Sequence, residues 1–133
     1  MAVNTRFATG VHALLLLAAE PDVLQTSEDV ARKLNTNPVV IRRVFSLLQH
    51  AELVESLKGP SGGSRLARPA KEITLADIYR ALDSGDIFHT AQTIKANSAL
   101  NQILKDAQRA LEKELAQTTL GQLVKKTAKK EKH

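Results

Sequence analysis

Two adjacent arginines, Arg42 and Arg43, are the side chains in this sequence best suited to specific recognition. They follow Asn37-Pro38 by about one helical turn, and Ser46 lies one turn further along. A guanidinium group can donate two parallel hydrogen bonds to guanine O6 and N7, or it can bind a phosphate. In this context the pair favours contact with DNA over a merely solvated helix face, and the sequence leaves open which contact each arginine makes.

A glycine-rich segment precedes Arg65 and is not compatible with a helix; it reads Lys58-Gly59-Pro60-Ser61-Gly62-Gly63-Ser64. Its glycines would let the backbone approach a duplex closely, and Lys58 and Arg65 flank it with positive charge. A nucleotide-binding loop is disfavoured, because Gly-Lys-Ser/Thr is missing and the following pattern is that of a strand. The segment therefore predicts a hairpin tip that lies along a phosphate backbone or enters a minor groove.

Most catalytic and cofactor chemistry lacks its residues here. The 133 residues contain no cysteine, which excludes disulfides, thiolate metal sites and a cysteine nucleophile. The four histidines show no metal-ligand spacing, and His12 is expected to be a core or helix-contact residue. Aromatic residues make up 3%, too few for a single-strand binder that stacks bases. We therefore expect no enzyme activity, no catalytic residues, no metal and no cofactor.

The positive charge is concentrated in two stretches. Residues 32–71 carry eight Lys or Arg against two acids, and residues 120–133 carry five lysines against one acid, although the whole chain has a net charge of only +5. The rest of the chain is therefore acidic, and the charge is directed rather than spread. This distribution is typical of a nucleic-acid-binding surface, with a plain solvated surface as the alternative.

Three helices are predicted in the first fifty residues. The first runs from about Asn4 to Ala19 and is apolar nearly all round in its second half, so other elements should enclose it. The second starts near Thr26, which has capping-box spacing to Asp29, and stops at residues 35–36. The third has Asn37 as N-cap and Pro38 at its first position, and it runs to about residue 50. Its spacing predicts a buried face and an open face, with Val40, Ile41, Val44, Phe45, Leu47 and Leu48 on the first and Val39, Arg42, Arg43, Ser46 and His50 on the second.

The pattern changes after the third helix. A short strand carrying Leu53, Val54 and Leu57 and a partner strand at residues 65–68 predict a hairpin that Pro69 ends. A further helix begins at Thr74 and directs four side chains inward: Leu75, Ile78, Tyr79 and Leu82. Residues 84–97 read as loop or short helix, and a long amphipathic helix follows from about residue 98 to 117. A last short helix after Thr119 would carry Leu120, Leu123 and Val124, and the lysine-rich end should fray.

No segment predicts a membrane span. The longest apolar run, Ala13 to Ala19, is far shorter than the roughly 18 residues that a span requires. A signal peptide is disfavoured, because a single arginine precedes the run and Glu20-Pro21-Asp22 follows it directly. We expect a cytoplasmic protein.

A helix-turn-helix followed by a hairpin predicts a winged helix-turn-helix fold, mostly α with a small β-hairpin wing. The third helix would enter the major groove, where its N-terminus would also offer N–H groups and partial positive charge to phosphate. The hairpin would grip the adjacent backbone or minor groove. The residues predicted to contact DNA are Thr36, Asn37, Pro38, Val39, Val40, Arg42, Arg43 and Ser46 on the helix side, and Lys58, Gly59, Ser61, Gly62, Gly63 and Arg65 in the hairpin.

On these residues the chain resembles the BadM/Rrf family of bacterial winged helix-turn-helix transcriptional regulators, which includes IscR, NsrR and CymR. The resemblance covers most of the chain and is carried by residues 5–6, 11–14, 37–43, 53–69 and 72–75. It implies a transcriptional regulator, a repressor, that binds double-stranded DNA as a homodimer through a long C-terminal helix. The dimer contacts would be Leu100, Ile103, Leu104, Ala107, Leu111 and Leu115, although the same stripe could instead pack on the chain's own core.

The chain departs from the family pattern in two places. In the glycine-rich wing motif of the family, Lys58 replaces an arginine, Ser61 a glycine and Ser64 a tyrosine. Because lysine lacks the flat guanidinium fork, we expect the wing contact to be less base-selective. The iron–sulfur members carry three cysteines where residues 84–97 here have none, so the resemblance is to members without a cluster. The input would then be a small molecule, a partner protein or nothing.

These patterns divide the chain into four parts. Residues 1–83 would form the winged helix-turn-helix domain, 84–97 a variable effector or connector segment, 98–124 the dimerisation helix and a short terminal helix, and 125–133 a flexible lysine-rich tail. The tail could add sequence-independent DNA affinity or could simply aid solubility. Two other classes remain open. One is a winged-helix adaptor for protein partners with only non-specific DNA affinity; the other is a small-molecule enzyme or carrier, for which the sequence offers no motif.

Overall fold

A computed structural model of the chain describes residues 5–83 and 98–131. These residues form α1 (Thr5–Ala19), α2 (Ser27–Leu34), α3 (Pro38–His50), β1 (Val54–Leu57), β2 (Gly63–Leu66), a short 3₁₀ helix (Ala70–Glu72), α4 (Leu75–Asp83), α5 (Ser98–Leu115) and α6 (Leu120–Glu131). The mostly helical fold with a two-stranded hairpin confirms the predicted winged helix-turn-helix class. The predicted loop or short helix at 84–97 lies outside the described residues.

Three helices begin at the side-chain caps that the sequence predicts. The Thr26 hydroxyl accepts a hydrogen bond from the Asp29 backbone N–H at 3.0 Å. At α4 the box is reciprocal, because the Thr74 N–H donates to the carboxylate of Asp77 at 3.0 Å and the Asp77 N–H donates to the Thr74 hydroxyl at 3.1 Å. Thr119 and its partner three residues later form the same two bonds at α6. Each box satisfies N–H groups that a helix start would otherwise leave without partners.

Helix α1 lies at the centre of the body. Leu14 and Leu17 are fully buried, and α1 packs against α2, α3, α4, α6 and β2, which confirms that other elements enclose it. Helix α6 is joined to the same body, because Leu120 is fully buried and its N–H donates to the Ile73 carbonyl at 2.7 Å. The last helix is longer than predicted and continues to residue 131, through most of the lysine-rich end. None of the described helices is long and apolar enough to cross a membrane.

A tight turn joins α2 to α3. Asn35 adopts the left-handed conformation at φ 55° and ψ 50°, and its N–H donates to the carbonyls of Ala31 and Arg32. The Thr36 N–H also donates to the Ala31 carbonyl, at 2.9 Å. Asparagine tolerates this conformation better than most residues, so the chain can stop α2 and start α3 within three residues.

The hairpin is antiparallel, and its second strand starts earlier than predicted. Val54 pairs with Leu66 and Leu57 with Gly63, so β2 covers residues 63–66 rather than 65–68. The reason is a third chain segment, since Gln25 exchanges two backbone hydrogen bonds with Ser64, at 3.0 and 2.8 Å. This pairing adds a bridge from Gln25 to β2 at the base of the wing, and β2 therefore begins at Gly63.

The close approach of Gln25 to β2 generates a prediction for Gly63→Ala. A Cβ at position 63 would lie 2.9 Å from the Gln25 nitrogen and 3.0 Å from its carbonyl carbon and oxygen, at a φ of +155°. Backbone atoms cannot rotate away, so we expect the free energy of unfolding in urea to fall by about 1–3 kcal/mol. Ser61→Ala, an exposed change in the same loop, should stay within about 0.5 kcal/mol. Full stability of Gly63→Ala would show that the pairing with Gln25 is dispensable.

Candidate nucleic-acid interface

Helix α3 has one face fixed in the core and one face open. Ile41, Val44, Phe45 and Leu48 are buried, whereas Arg42, Arg43 and Ser46 are exposed. Because α2 and α1 both pack on the buried side, the helix cannot roll about its axis without exposing that apolar surface. The two arginines are therefore held on the outer surface of the molecule, as predicted from the spacing.

The first turn of α3 has no free N–H to offer a phosphate, contrary to expectation. Pro38 has none, and the Val39 N–H donates to Asn37 Oδ1 at 2.8 Å. The N–H groups of Val40 and Ile41 both donate to the Asn37 carbonyl, at 3.0 and 3.4 Å. The predicted N-cap is confirmed, and the same cap removes the donors that anion binding would need.

Arg42 is held by a carboxylate on the neighbouring helix. Its Nη2 donates to Glu28 Oε2 at 2.7 Å, and both side chains are largely exposed. This hydrogen bond from Arg42 lowers the pKa of the Glu28 carboxyl below its usual value, so the pair is charged at neutral pH. Any phosphate that binds Arg42 must compete with Glu28.

Arg43 and Lys58 form no ion pair with any residue between 5 and 83 or between 98 and 131. Both side chains are exposed, the first on α3 and the second at the start of the wing tip. An exposed, uncompensated cation is the simplest phosphate ligand, because it loses no protein partner on binding. These two positions carry the positive charge of the surface most directly.

The wing arginine is compensated in the same way as Arg42. Arg65 Nε donates to Glu55 Oε2 at 2.7 Å across the hairpin, where the two residues are register partners. Such cross-strand pairs of opposite charge stabilise a two-stranded ribbon modestly. Arg65 therefore stabilises the hairpin through its bond to Glu55, and it also flanks the wing tip.

Two of the three wing glycines are required by close contacts within the protein, rather than by the expected close approach to a duplex. A Cβ on Gly62 would collide with the Leu57 carbonyl oxygen, and one on Gly63 with the Gln25 backbone. Only Gly59, at φ +109°, faces open space and owes its identity to backbone conformation alone. Ser61 is exposed beside it, whereas Ser64 is buried in β2, where its hydroxyl lies 3.0 Å from that of Ser56.

Gln25 is a structural residue that sequence reasoning missed. It is 3% exposed, its side-chain amide donates to the Leu16 carbonyl at 2.9 Å, and its Oε1 accepts from Lys33 Nζ at 3.1 Å. Together with the backbone bonds to Ser64, these contacts tie the wing to α1 and α2. A lone glutamine between Leu24 and Thr26 carries no sequence signal for such a role.

One further expectation is corrected and one is narrowed. Val40 was predicted on the buried face of α3, but it is 40% exposed, whereas the next residue, Ile41, is fully buried. His12 is exposed and therefore not a core residue, but it lines a shallow concavity with Lys33 and Thr36 at the end of α2, which agrees with the helix-contact alternative. The predicted helix-side contacts Thr36 and Pro38 are half-buried at the turn.

The apolar stripe of α5 is divided between two surroundings. Leu104, Leu111 and Leu115 are half-buried on the side that packs on α4, whereas Ile103 is 63% exposed and Ala107 is exposed; Leu100 is 40% exposed. Polar contacts support the α4 side: Gln108 donates to the Tyr79 hydroxyl at 3.2 Å, and Arg80 pairs with Glu112 at 3.0 Å. Packing against α4 therefore accounts for one edge of the stripe and not for the other.

The fold and this surface define a winged helix-turn-helix DNA-binding protein. Residues 3–126 match the Rrf2 family, described as iron-dependent transcriptional regulators, and the chain belongs to that family.

YwnA of Bacillus subtilis is 35% identical over 127 residues, which cover 89% of this chain and 93% of YwnA. BadM of Rhodopseudomonas palustris is 37% identical over 114 residues, 84% of this chain and 70% of BadM. Both are named as HTH-type transcriptional regulators. The structure of T. potens IscR matches with a TM-score of 0.76 and 24% identity, over 96% of this chain and 88% of IscR, which shows the fold.

The family's description as iron-dependent does not fit the donor set of this chain. Iron–sulfur clusters are held mainly by cysteine thiolates, and the sequence has no cysteine. Across residues 5–83 and 98–131, no group of three or more His, Asp or Glu side chains could hold a metal ion. A thiolate-held cluster therefore has no ligands in this chain.

The Glu28–Arg42 pair generates a prediction for Glu28→Gln. Removing the carboxylate charge removes the competitor of a phosphate for Arg42, so affinity for a random duplex should rise about two- to fivefold at low salt. Fluorescence anisotropy of a labelled duplex measures this change. Asp106→Asn, which removes a carboxylate paired with Arg109 on α5, is the matched control and should have a smaller effect. A loss of affinity in Glu28→Gln would instead mean that Glu28 orients Arg42 for DNA.

Proposed function

We propose that this protein is a homodimeric repressor that binds specific double-stranded DNA sequences without an iron–sulfur cluster. The observation that supports this most strongly is the open face of α3. It presents Val39, Arg42, Arg43 and Ser46, while the opposite face of the same helix is buried. A helix held in this way fits the major groove with its first turns against base edges.

The two arginines on α3 make different contributions to DNA binding. Arg43 forms no ion pair with the described residues and is ready to bind phosphate or guanine, whereas Arg42 must first leave Glu28. Exchange of a carboxylate for a phosphate gains little, so Arg42 contributes chiefly where the DNA offers a better acceptor than Glu28 does. The edge of guanine is such a site by geometry rather than by charge, because O6 and N7 together accept two parallel hydrogen bonds where Glu28 accepts one from Arg42.

The wing supplies a second, less selective contact. Lys58 is exposed beside Gly59 and Ser61 at the tip, and a lysine acts on phosphate as a point charge. Gln25 ties the wing base to α1 and α2, so the base of the wing is fixed to the helices that pack against α3. This rigidity supports simultaneous contact of the helix and the wing with one half-site.

A second copy of the chain would cover the outer edge of α5. Ile103 and Ala107 expose apolar surface there, and Leu100 lies one turn before. Pairing of this edge across a two-fold axis would place two reading heads on half-sites about one helical turn or a multiple apart. Repression would result where the site of the bound dimer overlaps a promoter and blocks access to it. An effector that acts on residues 84–97 would do so by changing the distance between the two recognition helices of the dimer. The protein would work in the cytoplasm, where a bacterial regulator meets DNA.

The DNA-binding proposal predicts the behaviour of the double variant Arg42→Ala/Arg43→Ala. Loss of two phosphate or base contacts should reduce affinity for the preferred duplex at least tenfold and flatten the plot of log K against log salt by up to about two units. The measurement is fluorescence anisotropy at several salt concentrations, on DNA from upstream of the protein's own gene and on a random duplex. Lys105→Ala/Arg109→Ala removes the same charge from exposed positions on α5 and should keep the wild-type preference.

The outcomes of this titration separate the candidate functions. Preference of the wild type for one duplex, lost in the α3 variant and kept in the α5 variant, supports a site-specific regulator. Equal weak binding to both duplexes calls for selection of binding sites from a random pool. If no duplex is then preferred and both variants behave alike, the adaptor function with non-specific DNA affinity is favoured.

The dimer proposal predicts that Ile103→Glu is monomeric. A carboxylate at this exposed position should leave the folded chain intact but would be buried without a partner in the dimer, at a cost of several kcal/mol. Light scattering after gel filtration should report twice the 14.5 kDa chain mass for the wild type and one chain mass for the variant. Gln102→Glu adds the same charge about 100° around α5 from Ile103, outside the apolar edge, and loses only an exposed hydrogen bond to Asp106, so it should remain dimeric. A monomeric wild type would contradict the proposal.

A further inference from the structure

The first turn of α3 exposes hydrocarbon where a DNA-reading helix usually presents polar groups. Val39 is 52% exposed and Val40 40% exposed, and they are two of six large hydrophobic residues in the described chain that are exposed to 40% or more. Two more of the six lie on α5 and have the dimer contact to account for them. The core does not account for Val39, since its side chain lies on the open face of the helix.

The backbone N–H groups of this turn already have hydrogen-bond partners within the protein. The N–H groups of Val39, Val40 and Ile41 all have partners in the cap residue Asn37, and Pro38 has no N–H. Within α3 itself the first polar side chain is therefore that of Arg42, about one turn later. The surface at the N-terminal end of α3 therefore consists mainly of methyl and methylene groups. Asn37 and Pro38 fix the conformation of this turn.

One apolar group is available on the base edges of the major groove, the C5-methyl of thymine. We propose that Val39, supported by Val40, recognises thymine methyl groups and makes thymine a required base in each half-site. The inference rests on the proposed function, because it takes α3 as the helix that enters the major groove. Arg42 and Arg43 lie one turn further along the same helix and would contact the next bases or the phosphates beside them.

The positive charge next to the patch favours DNA as its occupant over an apolar protein partner. Arg43 lies four residues after Val39 on the same face and forms no ion pair with the described residues. An apolar partner would have to bury or displace this charge, whereas a duplex neutralises it with phosphate while the groove receives the methyl groups.

The test uses a preferred duplex selected from a random pool by the wild-type full chain. Each thymine of that duplex is replaced in turn by deoxyuridine, which removes only the C5-methyl group. We expect one or two positions in each half-site where the replacement weakens binding about three- to fivefold at constant salt, as measured by fluorescence anisotropy.

The Val39→Ala variant links these positions to the protein. Its affinity for the thymine duplex should fall by a similar factor, and it should no longer distinguish thymine from deoxyuridine at the sensitive positions, which completes a double-mutant cycle. Val23→Ala deletes the same atoms from a valine that is 46% exposed in the segment between α1 and α2, and it should leave both affinity and methyl sensitivity unchanged. Circular dichroism confirms that both variants are folded.

The outcomes distinguish this inference from the proposed function. A selected duplex that binds tightly but tolerates deoxyuridine everywhere, or whose methyl sensitivity persists in Val39→Ala, overturns methyl recognition by Val39 and leaves DNA recognition intact. Failure to select any duplex overturns the proposed function, and the inference with it.

Discussion

The burial of one face of α3 is the constraint on which the recognition surface depends. Ile41, Val44 and Leu48 are almost completely buried, and each contributes about 1.5–3 kcal/mol relative to exposure. Any roll of the helix that changed the outward set would expose part of this surface to water. The positions of Arg42 and Arg43 are therefore consequences of hydrophobic packing on the opposite side of the helix.

Polar contacts position the elements around α3. Gln25 joins the base of the wing to α1 and α2 through its backbone and its amide. On the far side, Arg80 pairs with Glu112 and Tyr79 accepts from Gln108, which ties α5 to α4. The hydrogen bonds from Gln108 and Arg80 lower the pKa of Glu112, so this carboxylate is charged at neutral pH.

The surface combines compensated and uncompensated charge. Arg42 and Arg65 each have a carboxylate partner at 2.7 Å, whereas Arg43 and Lys58 have no ion-pair partner among the described residues. Compensated cations weaken general attraction to phosphate and reward a geometry that the carboxylate cannot match. The site-specific binding proposed for this protein would gain from this arrangement, because specificity is a difference between affinities.

The sequence by itself determined the fold class, the helix starts and the identity of the outward arginines. These features depend on signals within a few residues, such as the Asn37-Pro38 start of α3 and the Thr74 box, and on a helical period that separates apolar from charged positions. The absence of cysteine likewise decided against a thiolate-held cluster without any coordinates.

The tertiary structure alone decided what depends on neighbours that are distant in the sequence. Val40 is 40% exposed although it lies next to the buried Ile41, Gln25 is buried where β2 pairs with it, and Glu28 holds Arg42 because α2 packs against α3. Periodicity predicts which side of a helix is apolar, but it does not predict how far the partner helix covers that side. Pairing between segments is set by packing of the whole core, which no local pattern encodes.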